Sequence, residues 1–268
     1  MVDIAKPHCH GVAGLNTLSR FGLEYYRMMQ IARDGDLPRS SDFEQIGELL
    51  PIEGARLLEL GCGAAFTTRR LAETFAVREI VAMEVDRIQH EKNLLIPDLP
   101  DVTFRYGGAQ AIDLPHDSVD AVIMLKSLHH VPVTDMDAAL TEITRVLRPG
   151  GLAYISEPVY AGDFNEILRL FNDEKVVRKA AFDAIGRAVD SGKLTLEREI
   201  HFFSISRFEG FEEFERRIIG ATHSIFDIDD ALYAQVKERF MPHVDDDGIA
   251  EFLSPLRVDL LRKPSLAR

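Results

Sequence analysis

Apolar and polar residues between positions 55 and 158 are arranged in short blocks that fit strands and helices in turn. Uninterrupted apolar runs predict buried strands, and apolar residues that recur every three or four positions predict amphipathic helices. The segment MDAALTEITRVL, for example, places Met136, Leu140, Ile143 and Leu147 on one helical face. Five strands are predicted in this region, with the sequences RLLELG, EIVAMEV, VTFRY, VDAVIML and LAYISEP.

The pattern changes after Pro158. Residues 163–190 and two later segments, FEEFERRIIGA and DDALYAQVKERFM, have the spacing of helices. Two other segments alternate in the manner of strands and could pair as an edge hairpin: LEREIHFFSISRF and FLSPLRVDLLRK.

Strands that alternate with helices predict a parallel sheet with right-handed crossover connections. We therefore predict an α/β fold: a doubly wound, mostly parallel sheet of seven strands, the last two antiparallel, with an appended helical cap. Residues 1–50 would form an N-terminal helical lid and residues 51–158 a ligand-binding core. Residues 159–268 would supply a helical cap insertion and the C-terminal strands that complete the sheet. Ligands of such sheets bind beyond the carboxyl ends of the strands, where the strand order reverses.

The 268-residue chain carries a formal net charge of −13, which narrows the classes of partner. This average field repels a phosphate backbone, so a small-molecule partner is favoured over nucleic acid. Cys9 and Cys62 are the only cysteines, which indicates a reducing compartment rather than a disulfide framework. The sequence shows neither a signal-peptide pattern nor an apolar run long enough to span a membrane. We expect a cytoplasmic monomer or homodimer without a membrane partner.

The stretch LLELGCGAAF joins the first predicted strand to a helix through Gly61 and Gly63. Backbone can approach a ligand closely there because no Cβ intervenes. A dinucleotide site needs a third glycine where Phe66 stands, so the large ring disfavours a nucleotide-dependent oxidoreductase. Glu84 ends the second strand, where one carboxylate can accept bonds from both hydroxyls of a ribose. Asp86 is the competing acid, although it better fits the cap of the next helix.

Several segments, in this order and spacing, resemble the class I S-adenosylmethionine-dependent methyltransferases. They are LLELGCGAAF, VAMEVD, GGAQAIDLPHDSVDAVIMLKSLHHV and EITRVLRPGGLAYISEP. The similarity covers residues 55–158 and is greatest to the branch that contains ubiquinone and menaquinone biosynthesis enzymes. It implies a Rossmann-like fold in which residues 51–158 bind S-adenosyl-L-methionine, with S-adenosyl-L-homocysteine as the product.

The resemblance also implies roles for residues at the family's cofactor positions. These residues are Glu59, which would help to hold the methionine ammonium; Gly61, Cys62 and Gly63, along the homocysteine part; Glu84, at the ribose; Val85, against the adenine; Ala109 and Gln110, at the adenine edge; and Lys126, whose carbonyl would meet the ammonium.

Two positions depart from the family's pattern. Ala65 stands where a third glycine is usual, and it is small enough for the helix to pack. Gly108 stands where an aspartate is common, just before Ala109. That acid would bond the adenine amino group, so its loss leaves backbone contacts or Gln110 to recognise the base.

Methyl transfer from a sulfonium depends on alignment and exclusion of water, and needs a base only where the acceptor must lose a proton. His129 and His130 follow the fourth strand and are the catalytic candidates, with Glu157 and Asp113 as further titratable groups near the cleft. The alternative for the two histidines is that they only fix the loop before Pro132 by hydrogen bonding.

Other candidate contacts come from outside the core. Tyr25, Tyr26 and Arg27 lie on a predicted helix that could close over the cleft as a lid and touch substrate. The segment PHCH lacks a second cluster at metal-site spacing, so no metal site is predicted. Several phenylalanines could line an acceptor pocket or could simply pack the core: Phe171, Phe182, Phe202, Phe203, Phe211 and Phe214.

The predicted function is transfer of a methyl group from S-adenosylmethionine to a small-molecule acceptor by direct displacement. One alternative is methylation of RNA or protein, which a basic cleft mouth would favour and the net charge opposes. Another is a methyltransferase-like protein that binds the cofactor without turnover, a possibility that Gly108 leaves open.

Overall fold

Seven strands form one sheet in the computed structural model, which describes residues 29–33, 35–220 and 226–265. Residues Ile31–Arg268 constitute one compact unit, and it is this unit that is described below. The strands are β1 (Arg56–Leu60), β2 (Glu79–Glu84), β3 (Val102–Tyr106), β4 (Val119–Leu125), β5 (Leu147–Pro158), β6 (Thr195–Glu209) and β7 (Ile249–Arg262).

Helices connect most of these strands. The α-helices of the described residues are α1 (Asp42–Leu49), α2 (Phe66–Thr74), α3 (Arg87–Asn93), α4 (Met136–Val146), α5 (Asp163–Leu168), α6 (Lys175–Asp190), α7 (Gly210–Phe214) and α8 (Asp230–Phe240). Short 3₁₀ turns cover Leu128–His130, Val133–Asp135 and Met241–His243, and one π-helical turn, Glu215–Ile219, follows α7. None of the helices described is both long and apolar enough to cross a lipid bilayer.

The strand order across the sheet is β3-β2-β1-β4-β5-β7-β6. Strands β1 to β5 pair in parallel, and β7 runs antiparallel to both β5 and β6. The predicted α/β fold, with its mostly parallel seven-stranded sheet and antiparallel last pair, is confirmed. Because the order reverses between β1 and β4, the carboxyl ends of these two strands are where a ligand is expected.

Apolar side chains pack in two separate clusters. The larger includes Leu57, Ile123 and Tyr154 and joins the sheet to α1. The smaller is rich in phenylalanine and lies among α5, α7, α8 and the outer ends of β6 and β7. Every member of the predicted inner face of α4 is buried, as the spacing of MDAALTEITRVL requires.

Helix starts follow the capping chemistry of the sequence. Ser41 caps α1 in a capping box, because its hydroxyl accepts from the amide of Glu44 while the Glu44 carboxylate accepts from the amide of Ser41. Asp86 caps α3 by accepting from the amides of Ile88 and Gln89. The predicted capping role of Asp86 is thereby confirmed.

Two boundaries differ from the predicted ones. Strand β5 starts at Leu147 and includes the RPGG segment expected to stop the preceding helix. Gly151 permits this, because a Cβ there would lie 2.9 Å from the carbonyl oxygens of Asp120 and Arg148. The helical region predicted for 163–190 is divided between Leu168 and Lys175, where the Asp173 carboxylate accepts from the amide of Lys175 and favours a turn.

Candidate active site

The turn after β1 is held against β2 by backbone bonds. The amides of Gly61 and Cys62 both donate to the carbonyl oxygen of Met83, at 2.9 and 3.0 Å. Gly63 adopts a φ of +53°, and a Cβ built on it would meet no atom within 4 Å. The backbone therefore leaves open space over Gly63, which suits close approach of a ligand to the chain.

Glu84 organises this turn through its carboxylate. Its Oε2 accepts from the amide of Gly63 at 2.7 Å, and its Oε1 accepts from the amides of Val85 and Asp86, both at 2.8 Å. Two carboxylate oxygens offer about four acceptor positions, so one position stays available to a ligand hydroxyl. The same side chain can thus shape the turn and bind a ribose.

A cavity of about 690 Å³ lies at the carboxyl ends of β1, β2 and β4. The predicted site residues that line it are Gly61, Gly63, Glu84, Val85, Ala109, Gln110, Lys126 and His130. Two further predicted residues, Glu59 and Cys62, are buried and are not part of its lining. The structure brings the predicted set together at one place, and its contact with a cofactor stays a prediction.

Gln110 occupies the space beside Gly108. A Cβ at Gly108 would lie 2.4 Å from Oε1 of Gln110, far inside van der Waals contact. The carboxamide of Gln110 therefore fills the position from which an aspartate side chain would project. This geometry links the missing acid to Gln110, which lines the same cavity.

Changing Gly108 to Asp should weaken binding of S-adenosylhomocysteine rather than improve it. The new side chain would displace the exposed Gln110 carboxamide from its place beside Gly108. We expect a loss of about tenfold in affinity, the equivalent of about one hydrogen bond between Gln110 and the ligand. Calorimetric titration of G108D and of the double variant G108D/Q110A measures this. The double variant should regain affinity, and a gain in G108D alone would contradict the assignment of Gln110.

Lys126 lies at the end of β4 in a strained backbone conformation. Its φ is +52°, unusual for a residue with a side chain. The amide of Lys126 donates to the carbonyl of Ser156 at 2.7 Å, and its Nζ donates to the Asp42 carboxylate at 2.7 Å. Asp42 is buried and also accepts from the hydroxyl of Tyr154 at 3.1 Å. Residues with strained backbone of this kind cluster at active sites and ligand-binding sites.

Glu59 is buried beneath the turn and accepts a hydrogen bond from the hydroxyl of Thr68 at 2.5 Å. Burial raises the pKa of Glu59, the Thr68 hydrogen bond opposes the shift and the charge of Glu84 adds to it, with a net pKa of about 7. Glu59 therefore titrates near neutral pH. A cation bound close by would favour the carboxylate form.

Changing Glu59 to Gln should stabilise the folded protein at alkaline pH. The folded pKa is about 7 against the ordinary 4.5, so the folded chain retains a proton that the unfolded chain releases. Wild-type stability from this group is complete below pH 4.5 and is lost as the pH rises through 7. We expect E59Q to match wild type near pH 4.5 and to exceed it at pH 8 by on the order of 3 kcal/mol.

Urea unfolding of both proteins at the two pH values checks this expectation. A stability difference that does not change with pH would show that Glu59 has the same pKa in the folded and unfolded states. Under the role that the family resemblance implies for Glu59, beside the methionine ammonium, E59Q should also bind S-adenosylmethionine more weakly.

A second cavity of about 290 Å³ adjoins the first. The two share Lys126, His130 and Arg217 in their linings. Three phenylalanines line the smaller cavity, Phe164, Phe171 and Phe226. Of these only Phe171 was among the predicted pocket residues, whereas Phe202, Phe211 and Phe214 are buried in the two apolar clusters.

His129 is buried between two carboxylates. Its Nδ1 lies 2.5 Å from Oε2 of Glu157, and its Nε2 lies 3.7 Å from Oε2 of Glu174. Burial lowers the pKa of His129, but the charges of Glu157 and Glu174 outweigh it and hold the pKa above the usual value. His129 is therefore fixed between two acids, whereas His130 is exposed and lines both cavities.

The remaining predicted residues lie apart from these cavities or outside the described chain. Asp113 has a fully exposed side chain. Burial raises the pKa of the Cys62 thiol, which therefore stays protonated. The lid candidates Tyr25, Tyr26 and Arg27, and the PHCH segment, lie outside the described residues.

Sequence reasoning missed several residues that hold the site. Asn93, on α3, is buried and donates to the carbonyl of Gly63 at 2.7 Å. Asp42, at the start of α1, is the second such residue, because its buried carboxylate anchors Lys126. A polar residue on the inner face of a predicted helix was the available signal for Asn93, because such residues need a buried partner.

Comparison with known proteins shows that part of this chain is similar to methyltransferases. The methyltransferase-domain family matches residues 58–155. An uncharacterized methyltransferase of Mycobacterium bovis is 39% identical over 108 residues, covering 40% of this chain and 42% of the relative. A fatty-acid O-methyltransferase of Mycolicibacterium smegmatis is 34% identical over 100 residues, covering 37% of this chain and 36% of the relative. The chain thus covers about two fifths of the length of these relatives.

Solved structures share the fold over most of the chain. The YcgJ protein of Bacillus subtilis has a TM-score of 0.56 at 16% identity, covering 83% of this chain and 98% of its own. The cyclase SpnF has a TM-score of 0.54 at 18% identity, covering 83% of this chain and 80% of its own. Together with the glycine turn and the acid at the end of β2, the family match establishes that the domain in residues 58–155 belongs to the class I S-adenosylmethionine-dependent methyltransferases.

Proposed function

We propose that the chain transfers a methyl group from S-adenosylmethionine to a small-molecule acceptor by direct displacement. The observation that carries the proposal is the pair of adjoining cavities, the larger on the glycine turn and the smaller lined by phenylalanines. When bound, S-adenosylmethionine supplies a methyl group already activated by its positive sulfur. The protein then has to align two molecules and exclude water between them.

The larger cavity has the donors and acceptors that this ligand needs. Glu84 retains an acceptor position for a ribose hydroxyl, and Gly63 leaves the ligand room at the turn. The carbonyl of Lys126 and the carboxylate of Glu59 would stabilise the methionine ammonium. Gln110 would recognise the adenine edge in place of the acid that Gly108 lacks.

The smaller cavity suits an acceptor of small size. Its volume of about 290 Å³ is at the lower end for ligand pockets, which fits a small acceptor. The relative in M. smegmatis is a fatty-acid O-methyltransferase, which supports an apolar acceptor for this chain. The net charge of −13 opposes an RNA acceptor.

A protein that binds the cofactor without methyl transfer is the second candidate. The cyclase SpnF shares the fold, so the fold alone does not decide the reaction. Gly108 and Ala65, where the family usually has other residues, favour this candidate.

Incubation with tritium-labelled S-adenosylmethionine separates the candidates. The acceptors would be a panel of apolar carboxylic acids, phenols and amines, with transfer RNA and a histone peptide in parallel. We expect label in organic-extractable product only. Label in RNA or peptide would replace the small-molecule proposal, and cofactor binding without label in any acceptor would favour the non-catalytic candidate.

His130 is the better placed of the two histidines to act on an acceptor. It lines both cavities and is exposed, whereas His129 is buried between the carboxylates of Glu157 and Glu174. Changing His130 to Gln should leave S-adenosylhomocysteine affinity within about threefold and lower kcat about 100-fold for a hydroxyl acceptor, the typical contribution of a positioned base. A carboxylate acceptor, which carries no proton to remove, is the control and should be slowed far less. Equal loss with both acceptors would remove the base role.

A further inference from the structure

The smaller cavity contains a buried amide whose donor has no partner among the described residues. Asn165, on α5, is 5% exposed and lines this cavity. Its Oδ1 accepts from Nη1 of Arg178 at 3.0 Å, while its Nδ2 makes no hydrogen bond. A guanidinium can only donate, so the oxygen of the amide must face Arg178 and the NH₂ group must face away.

Arg178 is itself fixed and cannot turn to relieve Asn165. It donates to Oε2 of Glu174 through Nε at 3.1 Å and Nη2 at 2.7 Å. Its Nη1 also lies 3.4 Å from the carbonyl oxygen of Val159. Arg178 is 8% exposed, so the pair is held within the protein. Asn165 is therefore a positioned hydrogen-bond donor rather than a mobile side chain.

The cavity that Asn165 lines combines apolar side chains with polar ones. Phe164, Leu168, Phe171 and Phe226 line the same cavity. The cationic side chains in the lining are already paired, as Arg178 is with Glu174. A buried NH₂ group without a partner is costly unless a ligand oxygen accepts from it.

We propose that the smaller cavity binds an apolar small molecule that carries a carbonyl or carboxyl oxygen, and that Asn165 Nδ2 donates to this oxygen. The apolar body of the ligand packs on the phenylalanines. The inference names the acceptor class for the methyl transfer proposed above and rests on that function. The hydroxyl of Ser254, which lines the same cavity and also lacks a partner among the described residues, is a second group available to the ligand.

The test compares two probes of the same shape. 2-Acetylnaphthalene carries a carbonyl oxygen, and 2-isopropenylnaphthalene carries a methylene carbon in its place. Equilibrium dialysis would measure both affinities with saturating S-adenosylhomocysteine, which has no methyl group to transfer. The variants are Asn165→Ala and Asn165→Asp. The aspartate keeps an oxygen for Arg178 but has no donor, so it tests the idea even where the alanine variant fails to fold.

Both Asn165 variants should bind the ketone about five- to tenfold more weakly than wild type and the alkene within about twofold. Asn172→Ala is the matched control, because Asn172 lines the same cavity but its amide already donates to Glu174. It should leave the ratio of the two affinities unchanged. Equal loss for both probes, no loss for the ketone, or no binding of either probe to wild type would each overturn the proposal.

Failure of this inference can be told apart from failure of the proposed function. Calorimetry with S-adenosylhomocysteine alone reports on the larger cavity, and probe dialysis without it reports on the smaller one. If S-adenosylhomocysteine binds strongly but the Asn165 variants leave the ratio of ketone to alkene affinity unchanged, only the proposed acceptor class is wrong. If S-adenosylhomocysteine does not bind but the Asn165 variants do change that ratio, the methyl-transfer proposal is wrong and the ligand site at Asn165 stands.

Discussion

Changing Gly63 to Val is expected to abolish binding of S-adenosylhomocysteine, with a loss of at least about 100-fold in affinity, or roughly 3 kcal/mol. Gly63 lines the larger cavity, and its Cβ would meet no protein atom within 4 Å. A branched side chain would therefore occupy the space over the turn. It would also be strained at a φ of +53°, at a cost of about 1–2 kcal/mol in folding free energy. Calorimetry and urea unfolding measure the two effects separately.

Gly54 provides the matched control for this substitution. It has a φ of +68°, and a Cβ there would also meet nothing within 4 Å, but Gly54 is exposed and lies before β1, away from the cavity. Changing Gly54 to Val should cause a similar loss of stability and leave cofactor affinity unchanged. Retained binding in G63V, or an equal loss in both variants, would contradict the assignment of the turn.

Changing Glu84 to Ala is expected to weaken both the cofactor complex and the fold. Three backbone amides donate to its buried carboxylate, those of Gly63, Val85 and Asp86. Loss of these charge-assisted bonds should cost about 2–4 kcal/mol of unfolding free energy. The lost ribose contact should cost about a further 1–3 kcal/mol of cofactor binding. Unfolding without ligand and titration with S-adenosylhomocysteine separate the two losses.

Asp86 is the control, since it lines the same cavity and was the competing candidate for the ribose. Its carboxylate caps α3, so changing it to Ala should cost about 1 kcal/mol of stability. Cofactor affinity should stay within about threefold of wild type. A larger loss of affinity in D86A than in E84A would transfer the ribose role to Asp86.

The sheet and its order of elements could be predicted because the signals are local and periodic. The inner stripe of α4 and the apolar runs of β1, β2 and β4 each identify an element from a dozen residues or fewer. The break between α5 and α6 was missed, because one carboxylate, that of Asp173, competes with helix formation only when it bonds a neighbouring amide.

The cofactor cavity was predictable for a different reason. Gly61, Gly63 and Glu84 stand at the ends of adjacent parallel strands, and such ends meet at one edge of a sheet. The positions of these residues at strand ends in the sequence were therefore enough to predict that they lie close together.

The acceptor cavity could not be predicted in this way. Asn165, Arg178 and Glu174 come from α5, α6 and the turn between them, and only tertiary packing places them beside His129. Their sequence neighbours give no period or motif that pairs them. The collision between Gly108 and Gln110 likewise depends on one side-chain rotamer, although their closeness in sequence had suggested the exchange of roles.

Calorimetric titration with S-adenosylmethionine, S-adenosylhomocysteine and NADH, side by side, tests most directly whether the glycine-turn cavity binds an adenosyl sulfonium rather than a dinucleotide. We expect micromolar affinity for both adenosyl compounds and no heat with NADH, because Phe66 stands where a diphosphate site needs glycine. Binding of NADH, or no binding of the two adenosyl compounds, would contradict it.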